Sequence, residues 1–123
     1  QEDIGGIKSI ESEPIGIANN MYIDTARLVG LKLNAKFVTF VCAAGEPIFS
    51  DDKMLRPGNT KDFAAFAKAH PKLNRPIVVY CVKPSCNAAK NTIFELATKG
   101  YNNIFYYPFG SEGFKKLTSI INH

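Results

Sequence analysis

The stretch Ile77-Val78-Val79-Tyr80-Cys81 is an unbroken apolar run of strand formers. Alternation would mark a strand with one wet face, so its absence implies burial on both faces, as in a parallel sheet covered by helices. The loop Val82-Lys83-Pro84-Ser85-Cys86-Asn87 follows, and then Ala89, Ile93, Leu96 and Ala97 recur at helical spacing. Gly100 sits where a helix of Asn87 to Lys99 would end in a left-handed residue. A strand that empties through a short loop into a helix is half of a βαβ unit.

The rest of the chain repeats this alternation. Asp24 is placed to cap a helix running to about Leu33, with Leu28 and Leu31 on its apolar face and Asn34-Ala35-Lys36 as its end. Phe37 to Cys42 reads as a buried strand. Gly45-Glu46-Pro47 breaks it and has the form of an opening for a short helix at Pro47, and Leu55-Arg56-Pro57-Gly58-Asn59 reads as a loop ending in a turn. Asn59 or Thr60 caps a helix carrying Phe63, Phe66, Ala67 and His70, with Asp62 in its first turn. Ile104 to Tyr107 supplies another strand, and Ser111 caps a last helix whose Phe114, Leu117 and Ile121 are expected to face inward. The expected fold is a three-layer α/β/α domain with a mainly parallel central sheet, spanning residues 21–123 behind an irregular N-terminal arm at residues 1–20.

Composition narrows the function classes. The 123 residues are 46% hydrophobic and 21% charged, which suits one globular domain, and no apolar run approaches the about 18 residues of a membrane span. A net charge of +4 comes from scattered lysines without an aromatic-basic stripe, so we expect no nucleic-acid partner. The chain opens on Gln1 instead of Met, which gives the expectation of a processed, periplasmic or secreted protein, a cytoplasmic one not being excluded. Three cysteines are too few for a disulfide scaffold, and their odd number leaves at least one unpaired within the chain.

In parallel sheets ligands collect outside the carboxyl ends of strands, where helix N-termini aim free amides. Cys81 lies at that edge. A helix N-terminus acts as about half a positive charge, and such settings lower a cysteine pKa from about 8.5 to between about 3.5 and 7.5. The loop Val82 to Asn87 is long enough to curl around a thiolate or a persulfide and turn amides toward it, and Lys83 adds a cation. The plain reading is also open: Cys81 as a buried strand cysteine with Pro84-Ser85 as a turn only. Cys86 has three readings, a resolving thiol, a disulfide partner of Cys81, or an inert residue at the helix start. Cys42 ends the neighbouring strand at the same edge, and with Ala44, Phe109 and Phe114 it is a candidate for the pocket around Cys81. A zinc site of Cys42, Cys81 and Cys86 has weak support, because no histidine or second pair accompanies the C-x4-C spacing, so no metal is expected. His70 and His123 are given no catalytic role, and Tyr80, Tyr101, Tyr106 and Tyr107 read as packing.

The run Val79-Tyr80-Cys81, Cys86, Leu96, Gly100-Tyr101-Asn102-Asn103-Ile104, Tyr107-Pro108-Phe109-Gly110 and Phe114 resembles the second half of a rhodanese-like domain, in the exported variant with a second cysteine in its active-site loop. Phe37 to Ala44 and Leu55-Arg56-Pro57-Gly58 resemble, more faintly, its first half. The resemblance implies a sulfurtransferase with Cys81 as nucleophile: it takes sulfane sulfur from thiosulfate, polysulfide or a protein persulfide, holds it as a persulfide, and passes it to a thiophilic acceptor, with no cofactor. The chain departs from that pattern in two places. The family's Asp-x-Arg falls on Cys42 and Ala44, and its loop-ending arginine on Cys86, with Lys83 or Lys90 as substitutes that lack a bidentate fork. Two alternatives follow: a non-catalytic rhodanese-fold module that binds a protein partner or senses redox state, and a thiol oxidoreductase using the Cys81/Cys86 pair.

Overall fold

The computed structural model describes residues 21–34, 37–83 and 85–121. The expected arm at 1–20, Ala35, Lys36, Pro84 and His123 lie outside the described residues. The elements run α1 (Thr25–Asn34), β1 (Thr39–Cys42), β2 (Lys53–Met54), α2 (Thr60–Ala69), β3 (Ile77–Tyr80), α3 (Ala88–Thr98), β4 (Ile104–Tyr107) and α4 (Gly110–Ile121). Among the described residues the four strands form one parallel sheet in the order β2-β1-β3-β4. Beyond β4, Tyr22 makes a single parallel bridge to Tyr106, with Ile23 N–H donating to the Tyr106 carbonyl at 3.0 Å.

Side chains alternate across each strand, so the sheet divides two cores. On one face Val41, Ala43, Ile77, Val79, Cys81, Ile104 and Tyr106 meet Phe63 and Phe66 of α2 and Ala89, Ile93 and Leu96 of α3. On the other, Phe40, Cys42, Val78, Tyr80 and Tyr107 meet Leu28 and Leu31 of α1 and Phe114 of α4. The three-layer α/β/α arrangement is thus a direct result of β3 being apolar at every position. Each of its four residues is fully buried, and covering a Val or Ile side chain completely contributes about 1.5–3 kcal/mol.

The helix starts follow their capping residues. Asp24 Oδ1 accepts from Arg27 N–H at 2.8 Å and opens α1, and Asn59 Oδ1 accepts from Asp62 N–H at 3.1 Å and opens α2. Gly100 closes α3 at φ +101°. Three expectations are corrected. No helix forms at Pro47: Ile48 N–H is taken by the Tyr80 hydroxyl at 2.7 Å, and Asp52 folds back so that its N–H donates to Phe49 O and its carboxylate accepts from Phe49 N–H. Phe37 is not strand core but 64% exposed, stacked under the Arg75 guanidinium, and β1 starts at Thr39. The last helix begins at Gly110, one residue before the expected cap Ser111, and Leu117 is left exposed on it.

Fully buried Thr92 in α3 donates its hydroxyl to Leu55 O at 3.0 Å, tying the loop after β2 to the helix. Thr92→Val keeps the shape but strands that carbonyl, so it should lower the unfolding free energy in urea by about 1–3 kcal/mol. An unchanged midpoint and slope would show that the bond carries no net stability.

Candidate active site

Cys81 is the first residue past β3, at the carboxyl edge of the sheet and within the core on the α2/α3 side. Its main chain is held from both sides. Ala43 N–H donates to Tyr80 O at 2.9 Å, while Ser111 N–H donates to Cys81 O at 3.0 Å and Glu112 N–H to Val82 O at 2.9 Å. The last two donors are first-turn amides of α4, which have no partner within their own helix. The exit of β3 therefore serves as the cap of α4, and Ser111, 5% exposed, is a clamp on Cys81 through its main chain. Gly110 makes this approach close enough: its φ is +71°, and a Cβ there would collide with the Val82 carbonyl group. Gly45, at φ +76°, lets the loop after β1 lie against the Val82 side chain in the same way.

Past Val82 the chain turns back on itself, with Cys86 N–H donating to Lys83 O at 3.1 Å. Cys81 and Cys86 are joined in a disulfide, with their Cα atoms 6.3 Å apart. That spacing lies inside the range a disulfide spans without moving the backbone. The two halves of the bond differ in surroundings: Cys81 is 1% exposed within the apolar cluster of α2 and α3, whereas Cys86 is only partly buried against that cluster, between exposed Ser85 and Asn87. In this state the Cys86 amide is committed to Lys83 O. A sulfur in a disulfide does not ionise.

Asn87 occupies the N-cap position of α3 but makes no side-chain cap hydrogen bond. The start of α3 thus keeps first-turn amides uncapped by that side chain, two residues beyond Cys86.

The expected pocket residues divide between the two faces of the sheet. Ala44 and Val82 pack with Cys81, on the α2/α3 side. Cys42 pairs in register with Tyr80, not Cys81, so it points to the opposite side, with Phe114. Phe109 is 40% exposed and lies edge-on to Tyr107, 5.7 Å between centroids, toward that same side. Of the loop residues, Lys83, Ser85 and Asn87 are exposed. A groove of about 230 Å³ borders Val38 to Phe40, Lys32, Asp51 to Lys53 and His70, and Cys81 is not part of its lining. Among the described residues no three His, Cys, Asp or Glu side chains gather to hold a metal ion. No described helix is long and apolar enough to cross a membrane.

Sequence reading missed a polar cluster under Cys42. The Tyr80 hydroxyl donates to Asp52 Oδ2 and accepts from Ile48 N–H. Cys42 Sγ donates to Ala44 O at 3.1 Å, and Arg56 donates to Gly45 O at 3.0 Å. Burial pushes the Cys42 thiol up, opposed by the Tyr80 hydroxyl and the Arg56 guanidinium, so Cys42 is a neutral thiol and a core residue. Burial likewise raises Asp52, against hydrogen bonds from Tyr80 and Phe49, and its Oδ1 has no hydrogen-bond partner among the described residues. The only signal for this cluster in the sequence was Asp52 next to Asp51 in a turn, with nothing to link it to Tyr80.

No family model matches the chain, and no curated protein matches it. Among solved structures it is similar to the BH2092 protein of Bacillus halodurans, with a TM-score of 0.62 at 19% identity over 80% of this chain and 74% of that one. It is similar to a Lactobacillus plantarum protein at TM-score 0.62 and 17% identity, over 80% and 85% of the two chains. A full-length Lactobacillus plantarum protein matches at TM-score 0.61 and 17% identity, over 80% and 84%. At these identities the likeness concerns the fold, which is the three-layer α/β/α arrangement described above.

Two outcomes test this geometry. Gly110→Ala puts a Cβ into the main chain of Val82 at a left-handed φ, and should lower the unfolding free energy by at least about 2 kcal/mol in chemical denaturation; a smaller change would mean that the clamp yields easily. Asp52 holds its proton to higher pH when folded than its ordinary 3.8. Its contribution is therefore full below pH 3.8 and is lost as pH rises through the folded value. Asp52→Asn should flatten unfolding free energy against pH from 3.8 upward; an unaltered slope would show that Asp52 is ionised and solvated.

Proposed function

We propose that the protein is a rhodanese-like sulfurtransferase that carries sulfane sulfur as a persulfide on Cys81. The observation that supports this most is the placement of Cys81: on the central strand's carboxyl end, with a short loop leading into a helix start that Asn87 leaves without a side-chain cap. Once the bond to Cys86 is reduced, a sulfur there is a nucleophile next to a partial positive charge. The thiolate attacks the outer sulfur of thiosulfate, the S–S bond breaks, and sulfite leaves, so that Cys81 holds the transferred sulfur as a persulfide anion. A thiophilic acceptor then takes that outer sulfur and Cys81 leaves as thiolate. Exposed Lys83 supplies attraction for an anionic donor but not the two-pronged contact of an arginine, which favours polysulfide or a protein persulfide over thiosulfate. A periplasmic or otherwise oxidising setting belongs to this reading, since a disulfide persists there.

The closed Cys81–Cys86 bond favours a second reading, a thiol oxidoreductase that cycles between dithiol and disulfide. The two separate cleanly. Protein reduced, freed of reductant and incubated with polysulfide or thiosulfate should gain about 32 Da per sulfur by intact mass, on Cys81, and Cys81→Ser should gain none. For a sulfurtransferase Cys86→Ser still takes up that mass; for an oxidoreductase it loses all thiol–disulfide exchange and no sulfur adduct is seen in any form. Absence of an adduct from either donor, with Cys81 shown reduced, would overturn the sulfurtransferase and leave a binding or redox-sensing module if exchange is absent too.

A further inference from the structure

We propose that Cys86 is the thiol through which the site is discharged and reopened: it displaces the sulfane sulfur from Cys81 as hydrosulfide, and a dithiol protein then reduces the resulting bond by joining first to Cys86. The discharge step rests on the persulfide reading above, and the reopening step on the disulfide alone.

Reach comes first. The turn closed by Cys86 N–H and Lys83 O brings the two Cα atoms to 6.3 Å, so the Cys86 sulfur meets the Cys81 sulfur with no change in the backbone. In a loaded site the Cys86 thiol passes its proton to the outer sulfur of the Cys81 persulfide anion and, as a thiolate, attacks the inner sulfur. The bond between inner and outer sulfur breaks, the outer sulfur leaves with the electron pair as hydrosulfide, and the Cys81–Cys86 disulfide remains. Zero-valent sulfur is reduced to sulfide while the two thiols are oxidised by two electrons, so the step needs no other reagent. Hydrosulfide is a weaker base than an ordinary cysteine thiolate and leaves readily.

Exposure then decides which sulfur meets an external reductant. A thiolate must approach a disulfide along the S–S axis, from behind the sulfur it attacks. Cys81 is 1% exposed and backed by the apolar cluster of α2 and α3, whereas Cys86 is partly open, flanked by exposed Ser85 and Asn87, with exposed Lys83 across the turn to attract an anion. The incoming thiolate bonds to Cys86 and expels Cys81 as thiolate. The second thiol of the same reductant attacks its own sulfur in the mixed disulfide and releases Cys86. Each turnover thus converts one sulfane sulfur to sulfide at the expense of one dithiol. The reactions on either side are one that restores the dithiol and one that consumes sulfide.

The test follows both steps. Reduced wild type and Cys86→Ser, with Cys86→Ala as a second variant, are loaded with polysulfide, desalted, and followed by intact mass and a sulfide electrode. Both variants should hold the added mass of about 32 Da, while wild type releases one hydrosulfide per loaded chain and ends about 2 Da below its dithiol form. The oxidised protein is then mixed with a purified thioredoxin-type protein whose second cysteine is replaced by serine, and peptide mapping should find the mixed disulfide on Cys86. If neither wild type nor variants take up sulfur, the persulfide reading itself fails. If wild type holds its sulfur as stably as the variants, that reading stands and the discharge step is overturned. A mixed disulfide on Cys81 would overturn the proposed point of entry.

Discussion

Strand β3 is hydrogen-bonded to a neighbour on each side and covered on each face, so neither its register nor its facing can change without breaking both cores. This fixes the position of Cys81 more firmly than any contact the residue makes itself. It also fixes what Cys81 cannot meet. Because Tyr80 and Cys81 are adjacent in an extended chain, they face opposite cores, and Cys42, in register with Tyr80, is separated from Cys81 by the sheet. The chain's third cysteine is kept out of exchange with the other two by pleat geometry.

The end of the strand is joined to α4 by main-chain bonds. Ser111 and Glu112 donate to Cys81 and Val82, and the absence of a Cβ at Gly110 permits the approach. Two needs are met at once, the unsatisfied amides of a helix start and the unsatisfied carbonyls of a strand end, at a position where water is excluded from Cys81 and Ser111. The Cys81–Cys86 disulfide and the Val82 side chain lying against Gly45 add to these main-chain bonds at the strand exit.

How much of this was legible in the sequence varies by element for physical reasons. The caps at Asp24 and Asn59 and the strands β3 and β4 were readable because each depends on local chemistry or on uniform burial. Strand β2 was not, since Lys53 and Met54 are both exposed and are a strand only by pairing with β1. The missing helix at Pro47 and the early start of α4 share a cause. In both places a tertiary partner, the Tyr80 hydroxyl or the Cys81 carbonyl, takes the amide that local rules assign to a helix or its cap. The spacing of Cys81 and Cys86 suggested a pair, but only the turn at Lys83 brings the two together. The placing of Cys42 in the Cys81 pocket failed by one residue of register, which a single sequence does not contain.

Burial and reactivity make opposite demands on Cys81. An ionised sulfur enclosed in the apolar cluster of α2 and α3 is costly, because burial disfavours the charged form, as it does at Cys42 on the other face. The disulfide removes the conflict in the closed state because a bonded sulfur carries no charge to solvate. Under the sulfurtransferase reading, the reduced state requires that the sulfur be exposed or met by amides, and much of the surrounding main chain is anchored. Cys81 and Val82 are bound to α4 through their carbonyls, and α3 is pinned by buried Ala89 and Thr92. Among the described residues the Cys86 amide is bonded to Lys83 O within the same turn. Breaking the bond to Cys86 releases that turn from its covalent closure, and under the sulfurtransferase reading this frees the Cys86 amide as one main-chain donor able to turn toward the sulfur.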